Sequence, residues 1–292
     1  MRPSFFEMRR KRWFAGARVC VGLDTDPARL PIGYRHTGNY GFVAQFNTEI
    51  VIATKKLALA YKFDLAFYAG RHQAEAQAAL RETVDTIRQS APSVPVIMDT
   101  KRATIGKSNA GYVAEAFDYF DADAVTVHPY VGMEALRPFL DRKDKGIFVL
   151  CRTSDPGSEE FQEVTLMATD PPNRSMQMYE YVAERVAKRW NYNGNCGLVV
   201  GATQLYPLSR VREIVGDMDI LIPGVGAQGG DAMEAAQCGR NSKRAGIIIS
   251  SSSDIIFASS KEDFASAAYG QLVKLHGEVN AGIEARTASP SA

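Results

Sequence analysis

The sequence predicts an α/β protein built as a single (β/α)8 barrel. Three observations lead there. Eight short runs rich in Val, Ile and Leu recur along the chain, and their apolar residues are consecutive rather than alternating, so each run expects burial on both faces, as in a parallel sheet. A stretch with helical periodicity follows each run. The 292 residues, 46% of them hydrophobic, suffice for one large core and eight βα units in one domain spanning 1–292. An open doubly wound sheet is the competing arrangement, and eight repeats without a separate second domain favour closure.

Residues 1–15 read as an N-terminal helical extension. The first run, residues 18–23, carries Val19, Cys20, Val21 and Leu23 and stops at Asp24. The second, residues 59–64, ends Lys62-Phe63-Asp64, and the third, residues 94–100, ends Asp99-Thr100-Lys101. The fourth, residues 124–129, is Ala-Val-Thr-Val before His128-Pro129, and the fifth, residues 146–153, leads into Thr153-Ser154. The sixth to eighth runs are residues 197–203, 219–225 and 246–252. In a βα barrel the strand ends converge on one mouth, so the polar groups that close these runs are expected at one rim. Residues 155–195 exceed what a crossover helix needs and open with the turn residues Asp155-Pro156-Gly157, which predicts a lid. The tail, residues 286–292, is expected to be disordered.

Thirty-four Lys and Arg against 33 Asp and Glu leave a formal charge of +1, so no global field recruits nucleic acid or an anionic membrane. Cys20, Cys151, Cys196 and Cys238 are dispersed, with no CxxC pair to suggest zinc or a redox dithiol. They read as reduced thiols, and with no signal peptide or membrane span the expected location is cytoplasmic. His36, His72, His128 and His276 show no metal-ligand spacing, although His128 ends a strand. Trp13 and Trp190 read as packing residues.

The strongest local signal is Val96-Ile97-Met98-Asp99-Thr100-Lys101-Arg102-Ala103-Thr104-Ile105-Gly106. Alternation along a strand puts Asp99 and Lys101 on one side, facing the mouth. A rim salt bridge is the competing reading. Lys62 and Asp64 end the preceding run, so lysines and aspartates would alternate, each carboxylate holding a lysine protonated and placed. An ammonium beside a carboxylate in a partly dehydrated site suits carbanion chemistry.

Several segments, in order, carry a more specific likeness: Gly22-Leu23-Asp24, Lys62-Phe63-Asp64-Leu65-Ala66-Phe67-Tyr68, Asp99-Thr100-Lys101-Arg102, Thr153-Ser154-Asp155-Pro156-Gly157-Ser158, Val200-Gly201-Ala202-Thr203 and Pro223-Gly224-Val225-Gly226-Ala227-Gln228-Gly229-Gly230. From Gly22 to about Ser259 the chain resembles the orotidine 5′-monophosphate decarboxylases, in particular their longer-chain bacterial branch. The resemblance implies a homodimer with shared sites that decarboxylates an orotidine-type nucleotide or nucleoside without metal or organic cofactor, through a carbanion stabilised by a lysine. It assigns Asp24 to the ribose hydroxyls, Lys62 to the ribose and the charge network, Asp99 to the position opposite the substrate carboxylate, and Lys101 to proton donation. Ser154 would touch the pyrimidine, Gln162 would lie on the lid over the phosphate, and Ile105, Ser108 and Pro223 would contribute to binding. Gly226, Gln228 and Gly229 match a phosphate-binding turn, for which a turn needing glycine on steric grounds is the alternative.

The sequence departs from the family pattern at three positions. Thr104 stands where the family has the second aspartate of Asp-x-Lys-x-x-Asp, which enters the partner's site. Ser253, followed by Asp254, stands where an arginine grips the phosphate, and a serine offers one neutral bond in place of a bidentate cation. Asp64 replaces the usual asparagine and adds a charge near Lys62. These changes keep open a related pyrimidine-nucleoside reaction, or a weakly catalytic nucleotide-binding protein.

Overall fold

A computed structural model of the chain describes residues 2–34, 40–70, 72–169 and 172–285. The tail beyond residue 285 and His36 lie outside the described residues. Among the described residues eight parallel strands close into a barrel: β1 (Val19–Gly22), β2 (Ala58–Asp64), β3 (Val96–Asp99), β4 (Ala124–Val127), β5 (Gly146–Arg152), β8 (Cys196–Val200), β9 (Ile220–Ile222) and β10 (Ile247–Ser251), with β10 returning to β1. Most strands are shorter than the apolar runs that foretold them, because the last residues of those runs turn away into the mouth. Nearly every strand residue is buried, which is why the runs are continuous rather than alternating.

Helices between the strands cover the barrel, among them α2 (Tyr40–Thr54), α3 (Gln73–Ser90), α4 (Gly106–Val113), α5 (Gly132–Leu140), α8 (Leu205–Val215) and α9 (Ala232–Gly239). The last long helix, α11 (Phe264–Glu284), packs on α9 and α2. No described helix is long and apolar enough to cross a membrane. Before the barrel, α1 (Phe5–Phe14) starts with a capping box in which Ser4 and Glu7 satisfy each other's backbone amides. The Arg9 guanidinium of α1 pairs with Asp219 at the foot of β9, its Nε 2.8 Å from Oδ2. Trp13 and Trp190 are buried, in keeping with packing roles.

The described residues of the expected lid, 155–169 and 172–195, are built largely from regular elements. They form a short helix α6 (Glu159–Gln162), an antiparallel hairpin of β6 (Thr165–Thr169) and β7 (Pro172–Gln177), and a helix α7 (Met178–Arg185) that continues as a π-helical turn to Trp190. The turn residues in its first five positions describe only its entry.

The seam between β1 and β10 brings the two ends of the barrel together at the mouth. A Cβ on Gly22 would lie 2.6 Å from the Ser252 Cβ, so glycine is required for the strands to approach. There the Ser252 hydroxyl donates to the Gly22 carbonyl at 3.2 Å and accepts from the Asp24 amide at 3.3 Å. The loop after β1 and the short helix α10 (Ser253–Ile256) after β10 are thereby held side by side.

Candidate active site

The strand ends enclose a cavity of about 440 Å³ at the mouth of the barrel. Register explains which side chains meet there. In the β2–β3 ladder Asp64 pairs with Asp99, and in the β1–β2 ladder Gly22 pairs with Lys62. Asp24, two residues past β1, therefore comes level with Asp64 and within reach of Lys62, while Asp99 and Asp64 stand abreast.

The result is an alternating charge array. Lys62 Nζ lies 3.1 Å from Asp99 Oδ2 and 3.5 Å from both Asp24 carboxylate oxygens. Lys101 Nζ lies 2.9 Å from Asp99 Oδ2 and 2.9 Å from Asp64 Oδ2. Asp24 is also fixed by the Asp64 amide, 2.9 Å from its Oδ1, and the Asp64 carboxylate caps its own turn by accepting from the Ala66 amide at 3.0 Å. The order Asp24, Lys62, Asp99, Lys101, Asp64 runs without a break within one chain.

Burial opposes a charged Lys62, but Asp24, Asp99 and Asp64 outweigh it and push its pKa above the ordinary lysine value. Lys101 is also raised: burial again opposes its charge, and Asp99 and Asp64 prevail. Burial works against ionisation of Asp99, yet Lys62 and Lys101, helped by the Thr126 hydroxyl, hold its pKa down at about 2. Asp99 therefore adds stability that is complete above the unfolded carboxylate value of about 4 and is lost as the pH falls toward 2.

The reason Asp99 and Lys101 meet differs from simple strand alternation. β3 ends at Asp99, and Lys101 has a left-handed backbone, φ 51°, an uncommon conformation for a non-glycine residue. Thr126 of β4 holds both groups: its hydroxyl donates to Asp99 Oδ1 at 2.6 Å and accepts from the Lys101 amide at 2.9 Å. A Thr126→Val substitution keeps the shape and removes both bonds. It is expected to lower turnover roughly tenfold while leaving the fold intact, as a comparison of kcat with the thermal midpoint will show.

Asp24, Lys62, Asp64, Asp99, Lys101, Ser154, Pro223, Gln228 and Ser253 all line the cavity. The Ser154 hydroxyl donates to Gln228 Oε1 at 3.1 Å, joining the loops after β5 and β9. Thr104, Ile105, Ser108, Gln162, Gly229 and Asp254 do not line it. The backbone of Thr104 is clamped by Asn109, which accepts from its amide at 2.9 Å and donates to its carbonyl at 2.8 Å. Ile105 is 71% exposed and Ser108 is exposed on α4. Gln162 bonds back to the Thr153 amide at 2.8 Å and hydroxyl at 3.1 Å, so it fastens α6 to the end of β5. His128 contacts the Ala103 carbonyl at 3.2 Å instead of reaching the cavity.

The glycine-rich turn after β9 is self-contained. The amides of Gly226, Gly229 and Gly230 bond to carbonyls of the same turn. Gly226 has φ +87°, and the Asp254 carboxylate lies where a Cβ on Gly226 would be. A side chain has no room at Gly226 or Gly230, and an acid covers the first of them. Thr126, Arg29, Phe67 and Asp155 also face the cavity, and residue type and spacing did not single them out.

A family profile described as "Orotidine 5'-phosphate decarboxylase / HUMPS family" matches residues 17–267. The chain belongs to this family. The orotidine 5′-phosphate decarboxylase of Cupriavidus metallidurans is 44% identical over 262 residues, which are 90% of this chain and 92% of that protein. That of Ralstonia pickettii is 44% identical over the same extents. Among solved structures, Leishmania donovani OMP decarboxylase is 30% identical with a TM-score of 0.77, covering 94% of this chain and 99% of that one. Leishmania donovani UMP synthase is 34% identical with a TM-score of 0.82; the match covers 98% of this chain and spans 58% of the longer protein. The family's bacterial members thus share nearly the whole barrel with this chain, which bears out the likeness first read from the ordered motifs.

Proposed function

We propose that this family member is a carboxy-lyase that decarboxylates orotidine 5′-phosphate. The observation that carries the reading is the Lys101 ammonium, held between two carboxylates at the end of a cavity whose other lysine is buried and charged. The substrate carboxylate would enter beside Asp99. Breaking its bond to the ring releases CO₂ and leaves the electron pair on the ring carbon, and repulsion from Asp99 is relieved as the charge departs. Lys101 stabilises that carbanion and gives it a proton, then regains one from solvent. Asp24 and Lys62 would take the ribose hydroxyls, and Ser154 the pyrimidine edge. Such preorganised charge stabilises developing charge without reorganisation during the reaction.

The exposed segment after Lys101 is where the family likeness places a partner, and we propose a homodimer through it, in the cytoplasm. Mixing the purified protein with orotidine 5′-phosphate and following pyrimidine absorbance tests the activity. Turnover is expected; tight binding of uridine 5′-phosphate without turnover would leave a nucleotide-binding protein in its place.

A further inference from the structure

Three cations line the cavity, and two of them are already committed: Lys62 to Asp24 and Asp99, Lys101 to Asp99 and Asp64. The third is Arg29. Among the described residues no carboxylate lies within ion-pairing distance of it. Its guanidinium instead rests over the Phe257 ring, 4.2 Å from the centroid. Phe257 is itself stacked on buried Phe46, ring centroids 5.7 Å apart, so the platform under the cation is fixed. The turn that carries Arg29 is equally constrained. Asp26 caps it by accepting from the Ala28 amide at 2.9 Å, and the next residue, Leu30, is buried.

Position matters as much as charge. Phe257 directly follows α10, and the Ser252 bonds to Gly22 and Asp24 tie the β1 loop to the start of that helix. Arg29 therefore stands at the Ser253 end of the cavity. The other groups that line this end are neutral donors, Gln228 and Ser253 among them, and several more are already used. The Ser251 and Ser252 hydroxyls donate to the Val225 and Gly22 carbonyls, and the amides of Gly226, Gly229 and Gly230 are used within their turn.

We propose that Arg29 is the residue that binds the phosphate of the nucleotide, a role reached from the β1 loop because the end of β10 supplies only serine. This assignment rests on reading the cavity as a pyrimidine-nucleotide site. A guanidinium held over an aromatic ring keeps its edge free and can offer a phosphate two parallel N–H bonds.

Titration calorimetry of uridine 5′-phosphate and uridine, against the native protein and its variants, provides the test. The native protein should prefer the phosphate ester by at least about tenfold. Arg29→Gln should weaken that ligand by roughly tenfold to a hundredfold and leave uridine within about twofold, which separates phosphate binding from a structural role. Arg29→Lys should keep part of the preference, and adding Ser253→Arg to Arg29→Gln should restore it. Equal affinities for the two ligands in the native protein, a preference that survives Arg29→Gln, or a parallel loss of both ligands in that variant each overturns the assignment. Failure of the native protein to bind either ligand removes the nucleotide reading on which it rests.

Discussion

Replacing Lys101 with alanine should lower kcat for orotidine 5′-phosphate by roughly a thousandfold or more, the joint loss of a positioned proton donor and of the charge that stabilises the carbanion. The substitution does more than delete a group. Asp99 and Asp64 both bond to Lys101 Nζ, and without it they face each other at one end of the cavity, where a substrate carboxylate must also enter. Affinity should therefore fall together with turnover. Lys101→Arg separates the two losses, because a guanidinium keeps the positive charge but does not give up a proton near neutral pH. That variant should bind substrate better than Lys101→Ala and remain nearly as slow. A decline in pyrimidine absorbance within tenfold of the native rate in Lys101→Ala would remove Lys101 from the chemistry.

How far these side chains could be placed from the sequence depended on how local their cause was. The barrel was legible because burial on both faces writes itself into consecutive apolar residues, and the strand ends named Asp24, Lys62, Asp64 and Asp99 through their positions alone. Lys101 was found for an incomplete reason: alternation put it on the right side, whereas the left-handed turn and the bond from its amide to Thr126 bring it there. Thr126 could not be found this way, since a threonine in Ala-Val-Thr-Val reads as one more β-branched strand residue, and only the position of β4 beside β3 shows what its hydroxyl meets. Arg29 and Phe257 are separated by more than two hundred residues and meet across the seam that closes the barrel. The hairpin of β6 and β7 was hidden inside a segment whose opening turn residues suggested a loop. Gln162, expected on a lid, uses its amide on Thr153, a contact that its residue type does not foretell.

Asp64→Asn is the substitution that asks whether the charge array is complete within one chain. The family pattern draws its second aspartate from position 104, across a dimer, and here that residue is a threonine outside the cavity with its backbone held by Asn109. Asp64 supplies a carboxylate to Lys101 from β2 of the same chain. Asparagine keeps the size and the capping oxygen and removes the charge, so kcat should fall roughly tenfold to a hundredfold with a small loss of fold stability near neutral pH, because Lys101 is partly exposed. The pH profile carries the sharper signature. Asp99 and Asp64 together raise the Lys101 pKa against the effect of burial, so the native ammonium persists above the ordinary lysine range; without Asp64 it loses its proton sooner, and the basic limb of kcat must move to lower pH. The stability that the raised lysine contributes at lower pH should likewise be lost earlier as pH rises. Thr104→Ala, by contrast, should leave kcat within about twofold, since its side chain reaches no part of this array. If Asp64→Asn keeps both the native rate and the native basic limb, Lys101 is governed by Asp99 alone or by a partner's residue, and a site complete in one chain is no longer tenable.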